Sequence, residues 1–211
     1  MVRYPFLPKV AGMGESPCGV WKPRLCSRKR IRRGGFTGRR NADTDILKNA
    51  KRCGKILAES GVVTLNGLAV GCDTAWLEGA LAAGGKCIAV MPCGLDYIYP
   101  KCNASLVESI LKNGGCIVSE YGPGERPEKW KFVKRDLLQA MIADKILVVD
   151  CDEKSGTMHA VMEGVKEKKD IACIVRKPKE KTGSGNQYMI NNFAAIKICG
   201  EKALKQFVKK A

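Results

Sequence analysis

From about residue 44 the chain switches between two hydrophobic rhythms. In DTDILKNAKRCGKILAESG, Ile46, Ala50, Cys53 and Leu57 recur at helical spacing, and Gly61 suits the end of that helix. VVTL then reads as a buried strand. DTAWLEGALAAGG is a helix closed by Gly84 and Gly85, and CIAVM is the next strand. NASLVESILKNGG repeats the device with Asn103 as its N-cap, and CIVSE follows as strand. WKFVKRDLLQAMIAD is helical, KILVVD extended, SGTMHAVMEGVKEKK helical and IACIV extended; EKALKQFVKK closes the chain as a short amphipathic helix. Short strands rich in valine and isoleucine between amphipathic helices predict a parallel sheet covered on both faces. The expected fold is α/β: a doubly wound, mostly parallel, Rossmann-like sheet whose ligands gather at the carboxyl ends of its strands.

Both ends break this rhythm. Residues 1–35 hold Pro5, Pro8, Pro17, Pro23 and the run RLCSRKRIRRGG, an irregular, strongly basic lead-in that reads either as a solvated arm or as a phosphate-attracting one. The Rossmann-like domain is assigned to 36–211, with a second basic, glycine-containing loop at 176–186 (RKPKEKTGSGN). At 211 residues, 45% of them hydrophobic, the chain can bury one substantial core. Its 37 basic and 21 acidic residues give a net charge of +16, which favours a polyanionic partner over a neutral metabolite.

Eleven cysteines raise the question of a disulfide framework. Cys87, Cys116, Cys151 and Cys173 lie in or beside apolar runs, and Cys53 lies on an apolar helix face, where cysteine acts as a small hydrophobe. No pair has CxxC spacing and His159 is the only histidine, so neither a metal site nor a cofactor is expected. The odd count and the absence of a signal peptide fit reduced thiols in a cytoplasm, and no apolar run has the length of a membrane span.

Candidate chemistry sits in four polar or glycine-bearing turns: TGRRNAD (37–43), NGLAVGCD (66–73), CGLDYIYPKCN (93–103) and DEKSGT (152–157). Each alone reads as an ordinary strand-to-helix connection, but together they meet above the sheet. Backbone N–H groups near Ser155, Gly156 and Thr157, at a helix N-terminus, form a natural anion site. Trp130, Tyr97, Tyr99 and Tyr121 lie in or beside the same loops, where bases could stack on them; loop packing explains Tyr97 and Tyr99 equally well.

These motifs carry a family resemblance over nearly the whole chain. SGVVTLNGLAVGCDTAWLEGALAAGGKCIAVMPCGLDYIYPKCNASL resembles the core of the DNA-processing protein A (DprA/Smf) family, with its GLAxGxD turn, AGG-ended helix and GLDxIYPxxN loop. The likeness runs on through the late SGT turn and GSGNQYMI, and upstream through FTGRRNAD. It implies a Rossmann-like domain that binds single-stranded DNA, dimerises and helps load a RecA-type recombinase, in DNA uptake and transformation or as a recombination mediator. Residue by residue, Gly38, Arg39 and Arg40 fall in the family's first basic turn, and Asn66, Gly67, Gly71 and Asp73 in its second. Lys134 and Arg135 match a basic pair at the start of a helix; Lys154, Ser155, Gly156 and Thr157 match the late anion turn, and Asn186 the final glycine–x–asparagine loop. Arginine can grip a phosphate bidentately, and serine and threonine add neutral donors. Val70, Leu77, Glu78, Asn66 and Asp136 depart from the residues usual in the family, and the resemblance stops without its winged-helix domain.

Two other classes remain open at this level. Phosphoribohydrolases of the "lonely guy" type share the fold and carry PGGxGTxxE; here DEKSGTMHA places Ala160 where the glutamate belongs, leaving acid–base chemistry without an agent. A small-nucleotide sensor is permitted by the glycine turns. The expectation is a DNA-binding protein without catalysis.

Overall fold

The computed structural model describes residues 9–11, 19–20, 33–175 and 182–209. In chain order these give β1 (Lys9–Ala11), β2 (Gly19–Val20), β3 (Arg33–Thr37), α1 (Thr44–Glu59), β4 (Val63–Asn66), α2 (Cys72–Ala82), β5 (Cys87–Met91), α3 (Ala104–Lys112), β6 (Cys116–Ser119), α4 (Lys129–Ile142), β7 (Lys145–Val148), α5 (Thr157–Lys166), β8 (Asp170–Ile174), α6 (Ser184–Asn192), β9 (Ile196–Ile198) and α7 (Gly200–Lys209). The sheet runs β2-β1-β6-β5-β4-β3-β7-β8-β9. From β6 to β9 every pairing is parallel, while β1 lies antiparallel between β6 and β2. The doubly wound, mostly parallel α/β fold is thus the one the hydrophobic rhythm predicts.

The period-two alternation of each strand divides its side chains between two layers. On β7, Ile146 and Val148 enter one cluster with α4, α5 and α6 residues such as Leu138, Val161 and Met189. Leu147, between them, joins Phe36, α1, Trp76 and α7 on the other face. A third cluster packs α2 and α3 on β5 and β6 through Leu77, Ala89, Met91 and Ile110. Phe36 and Trp76 stack with ring centroids 4.2 Å apart, a contact contributing about 1 kcal/mol beyond the area it buries. The cysteines of the apolar runs are buried among these residues.

Some local readings change. Arg33 is the first residue of β3, and its guanidinium pairs with Asp144 at 3.0 Å; the rest of the RKRIRR run lies outside the described residues. Asn103 precedes α3 but does not cap it: its amide nitrogen donates to Leu68 O at 2.9 Å and to Thr74 Oγ1 at 2.8 Å, joining two loops instead. α6 begins inside the loop read at 176–186, and it and β9 fill a stretch to which the sequence assigned no helix or strand. Chain order reverses between β3 and β7, where β3 runs on toward α1 and β4 on one side and β7 has β8 on the other. This reversal opens a crevice at the strands' carboxyl ends.

Candidate nucleic-acid interface

Three turns meet at that crevice. The first follows β3: Arg39 N donates to Asp150 O at 2.8 Å, and Cys72 N donates to Arg39 O at 3.2 Å. Glycines permit the meeting. A Cβ on Gly71 would lie 2.2 Å from Arg40 O, and its φ of +85° suits only glycine; one on Gly38 would lie 2.7 Å from Cys72 Cβ. These glycines bring backbone close to backbone of the same protein.

The second turn is held from below by buried polar groups. Asn66 is fully buried; its amide donates to Asp73 O and accepts from Leu68 N, both at 3.0 Å. Asp73, also buried, accepts from Gly67 N at 3.1 Å and Ala69 N at 3.3 Å. Burial pushes its carboxyl up to about 6, against the opposing pull of Arg135 and the two amides. Arg135 is 5% exposed, donates to Gly67 O and to Val90 O, and pairs through Nε with Asp136 at 2.9 Å. A side chain on Gly67 would occupy the place of that guanidinium. Lys134 and Arg135 therefore do not begin a helix: α4 starts at Lys129, and they face opposite ways from its second turn, Lys134 exposed and Arg135 inward.

The third turn, 152–156, leads into α5. Among the described residues nothing accepts from the backbone N–H of Gly156 or Thr157, and no side chain caps the helix. Thr157 Oγ1 donates to Gly38 O at 3.4 Å, tying α5 to the first turn. Gly156 is exposed, and a Cβ there would meet only Asp136 Oδ2, at 4.0 Å. Ser155 is half-buried, and Lys154 is exposed. Asn186 lies in α6 rather than a loop and is fully buried. It accepts from Cys151 N and donates to Val149 O and Ile174 O, fastening the ends of β7 and β8.

The predicted residues thus separate by exposure. Arg40 and Lys134 are exposed cations, Arg40 lying 5.4 Å over the Phe132 ring and Lys134 5.1 Å over Trp130. Arg39 is spent on carboxylates, Asp150 at 2.9 Å and Asp152 at 2.8 Å; burial works against its charge, but the two acids outweigh it and raise its pKa. Two residues that sequence reasoning did not assign to the site, Asp136 having been noted only as a departure from the family pattern, are central. Asp150, 3% exposed, joins Arg39 to Gly183 N. Asp136 faces Arg135, Arg40, His159 (4.0 Å) and the open side of Gly156; burial raises its carboxyl above the ordinary range, against those cations. Neither has a motif around it, since their partners are twenty or more residues away, apart from Arg135 next to Asp136.

Fold and site together define a doubly wound α/β protein whose turns converge at its topological switch point. The chain belongs to the DNA recombination-mediator protein A family, whose model matches residues 13–208. It is 33% identical to the DNA processing protein DprA of Streptococcus pneumoniae over 162 residues, covering 76% of this chain and 57% of that one. With the Smf protein of a Synechocystis strain the identity is 30% over 162 residues, 77% of this chain and 40% of that one. The chain spans about half the length of these relatives. Among solved structures, DNA processing protein A from Helicobacter pylori, described for its single-stranded DNA binding mode, superimposes with a TM-score of 0.76 at 26% identity, covering 85% of this chain and 80% of that one. A molybdenum cofactor binding protein from Rippkaea orientalis shares the fold, with a TM-score of 0.62 at 19% identity, over 85% of this chain and 96% of that one.

Proposed function

We propose that this protein binds single-stranded DNA at the crevice, without intrinsic catalysis, as part of DNA uptake or recombination mediation. One observation carries the reading: the N-terminus of α5 is uncapped, with open N–H groups at Gly156 and Thr157, and Asp136 beside Gly156 lies within electrostatic reach of the exposed Arg40. A phosphate seated there accepts from backbone donors while arginine neutralises its charge. Lys154, Ser155 and Lys134 extend the grip. Arg39, Asn66, Gly67, Gly71, Asp73, Arg135 and Asn186 hold the turns in register, and Gly38 keeps α2 close. The +16 charge draws the polyanion in. The single-stranded ligand of the Helicobacter pylori relative supports the choice of partner. A second copy of the chain and a RecA-type recombinase belong to the same proposal.

Against a phosphoribohydrolase stands Ala160, buried at 3% exposure where that motif needs a carboxylate. The test measures affinity for matched single-stranded and duplex oligonucleotides at several salt concentrations, with nucleoside monophosphate hydrolysis assayed on the same preparation. Preference for the single strand, with little sequence dependence and no turnover, is expected. Equal duplex affinity, absence of binding near physiological salt, or steady hydrolysis abolished by changing Thr157 or His159 would each overturn the reading.

A further inference from the structure

Resting on the single-strand reading above, we infer that the strand leaves the crevice across the start of α4, where Trp130 stacks an unpaired base. Trp130 is 49% exposed, yet its ring is fixed before any ligand arrives. Its Nε1 donates to Glu128 Oε2 at 3.1 Å, and it meets the Tyr121 ring edge-on at 6.0 Å. Lys134 Nζ lies 5.1 Å and Lys131 Nζ 5.4 Å from the ring centre. Two ammonium groups beside one oriented indole make a platform for a π-face.

The platform and the ring under Arg40 share the first turn of α4. Arg40, at the crevice, lies over Phe132, and Phe132 meets Tyr99 edge-on at 5.4 Å. On the far side, Lys131 Nζ donates to Arg126 O at 2.9 Å, and the Arg126 guanidinium lies 4.5 Å over Tyr97. Two aromatic groups thus flank the start of α4, one under Arg40 at Phe132 and one at Trp130 beside Lys134.

Its charge differs from that of the crevice. Lys131 is paired with Glu125 at 3.3 Å and Glu128 at 3.0 Å, and Glu120 faces Lys134. Acidic and basic groups are interleaved, so the surface suits base faces better than a run of phosphates. A duplex hides those faces in its own stack, so the platform adds to discrimination as well as affinity.

The experiment compares wild type, Trp130→Ala and Trp130→Phe on oligothymidines graded in length, and on the longest one with its outer bases removed to leave abasic sugars. The variants fold normally, since the ring lies at the surface; circular dichroism checks this. Trp130→Ala is expected to match wild type on the shortest oligonucleotide and to lose about tenfold on the longer ones. Trp130→Phe keeps most of that affinity, and the abasic strand binds wild type and Trp130→Ala equally. Equal affinity of Trp130→Ala and wild type at every length overturns the inference, as does a loss that is the same at every length or on the abasic strand. Failure of wild type to bind any single strand is distinguishable from these outcomes, since it removes the underlying reading as well.

Discussion

At the scale of single residues, the proposed site sets one carboxylate against the phosphate it would receive. Asp136 lies opposite the open side of Gly156 and within reach of Arg40. It occupies the arginines' charge while the site is empty and repels an incoming phosphate. Asp136→Asn should therefore raise single-strand affinity about three- to tenfold near neutral pH, since a carboxylate several ångströms from a phosphate is only partly screened. The sign with pH follows. Burial raises the Asp136 carboxyl, so it takes up its proton earlier than an ordinary aspartate as pH falls, and the repulsion disappears. Wild-type affinity should climb as pH is lowered, and that climb should be missing from Asp136→Asn. Both proteins are compared in a His159→Gln background, which removes the imidazole 4.0 Å from Asp136. A fall in affinity for Asp136→Asn would mean that its pairing with Arg135 matters more than its charge.

Residue identity was the part of the site least legible in the sequence. The glycines of the second turn announced a close approach, but not what approaches. For Gly67 it is the guanidinium of Arg135, sixty-eight positions along, and no local pattern encodes such a contact. Buried Asn66 and Asn186 likewise read as site residues, and Asn103 as a helix cap, until the loops they join are known.

At the scale of elements, rhythm was a good guide wherever burial supplied it. The strands from β4 to β8 and the helices between them are long enough, and sided enough, for their periods to show, whereas β3 begins inside the stretch read as an irregular lead-in. α6 escaped because SGNQYMINN mixes glycine and asparagine with few apolar positions, and β9 because three residues cannot establish a period. The same scale separates scaffold from site. Gly71→Ala forces a Cβ against Arg39 and Arg40 carbonyls at positive φ, and should cost about 2 kcal/mol in urea unfolding. Gly156→Ala meets open space at a helical φ of −57° and should leave stability within about 0.5 kcal/mol of wild type. Equal destabilisation by the two would show that the α5 turn is packed as tightly as the second one.

At the scale of the whole molecule, the fold brings the proposed site to the carboxyl ends of the strands. The net charge of +16 attracts any polyanion, so affinity alone does not distinguish a positioned site from a basic surface. Discrimination does. Arg40 follows β3, whose backbone is locked to β7, and is therefore held by the scaffold. Arg28, Lys29, Arg30 and Arg32 belong to the basic run that precedes β3, while Arg33 is already engaged with Asp144.

The most direct measurement is a salt titration of Arg40→Ala, and of a variant with Arg28, Lys29, Arg30 and Arg32 neutralised, on matched single-stranded and duplex oligonucleotides. Every phosphate contact weakens with salt, but a positioned one also contributes geometry. Arg40→Ala should lose single-strand affinity by more than its share of charge, about tenfold or more, and with it much of the discrimination against duplex. The neutralised run should lose affinity for both forms alike and show a flatter salt dependence, keeping its preference for the single strand. Wild-type behaviour of Arg40→Ala, with single-strand preference lost instead in the neutralised run, would place the site outside the crevice.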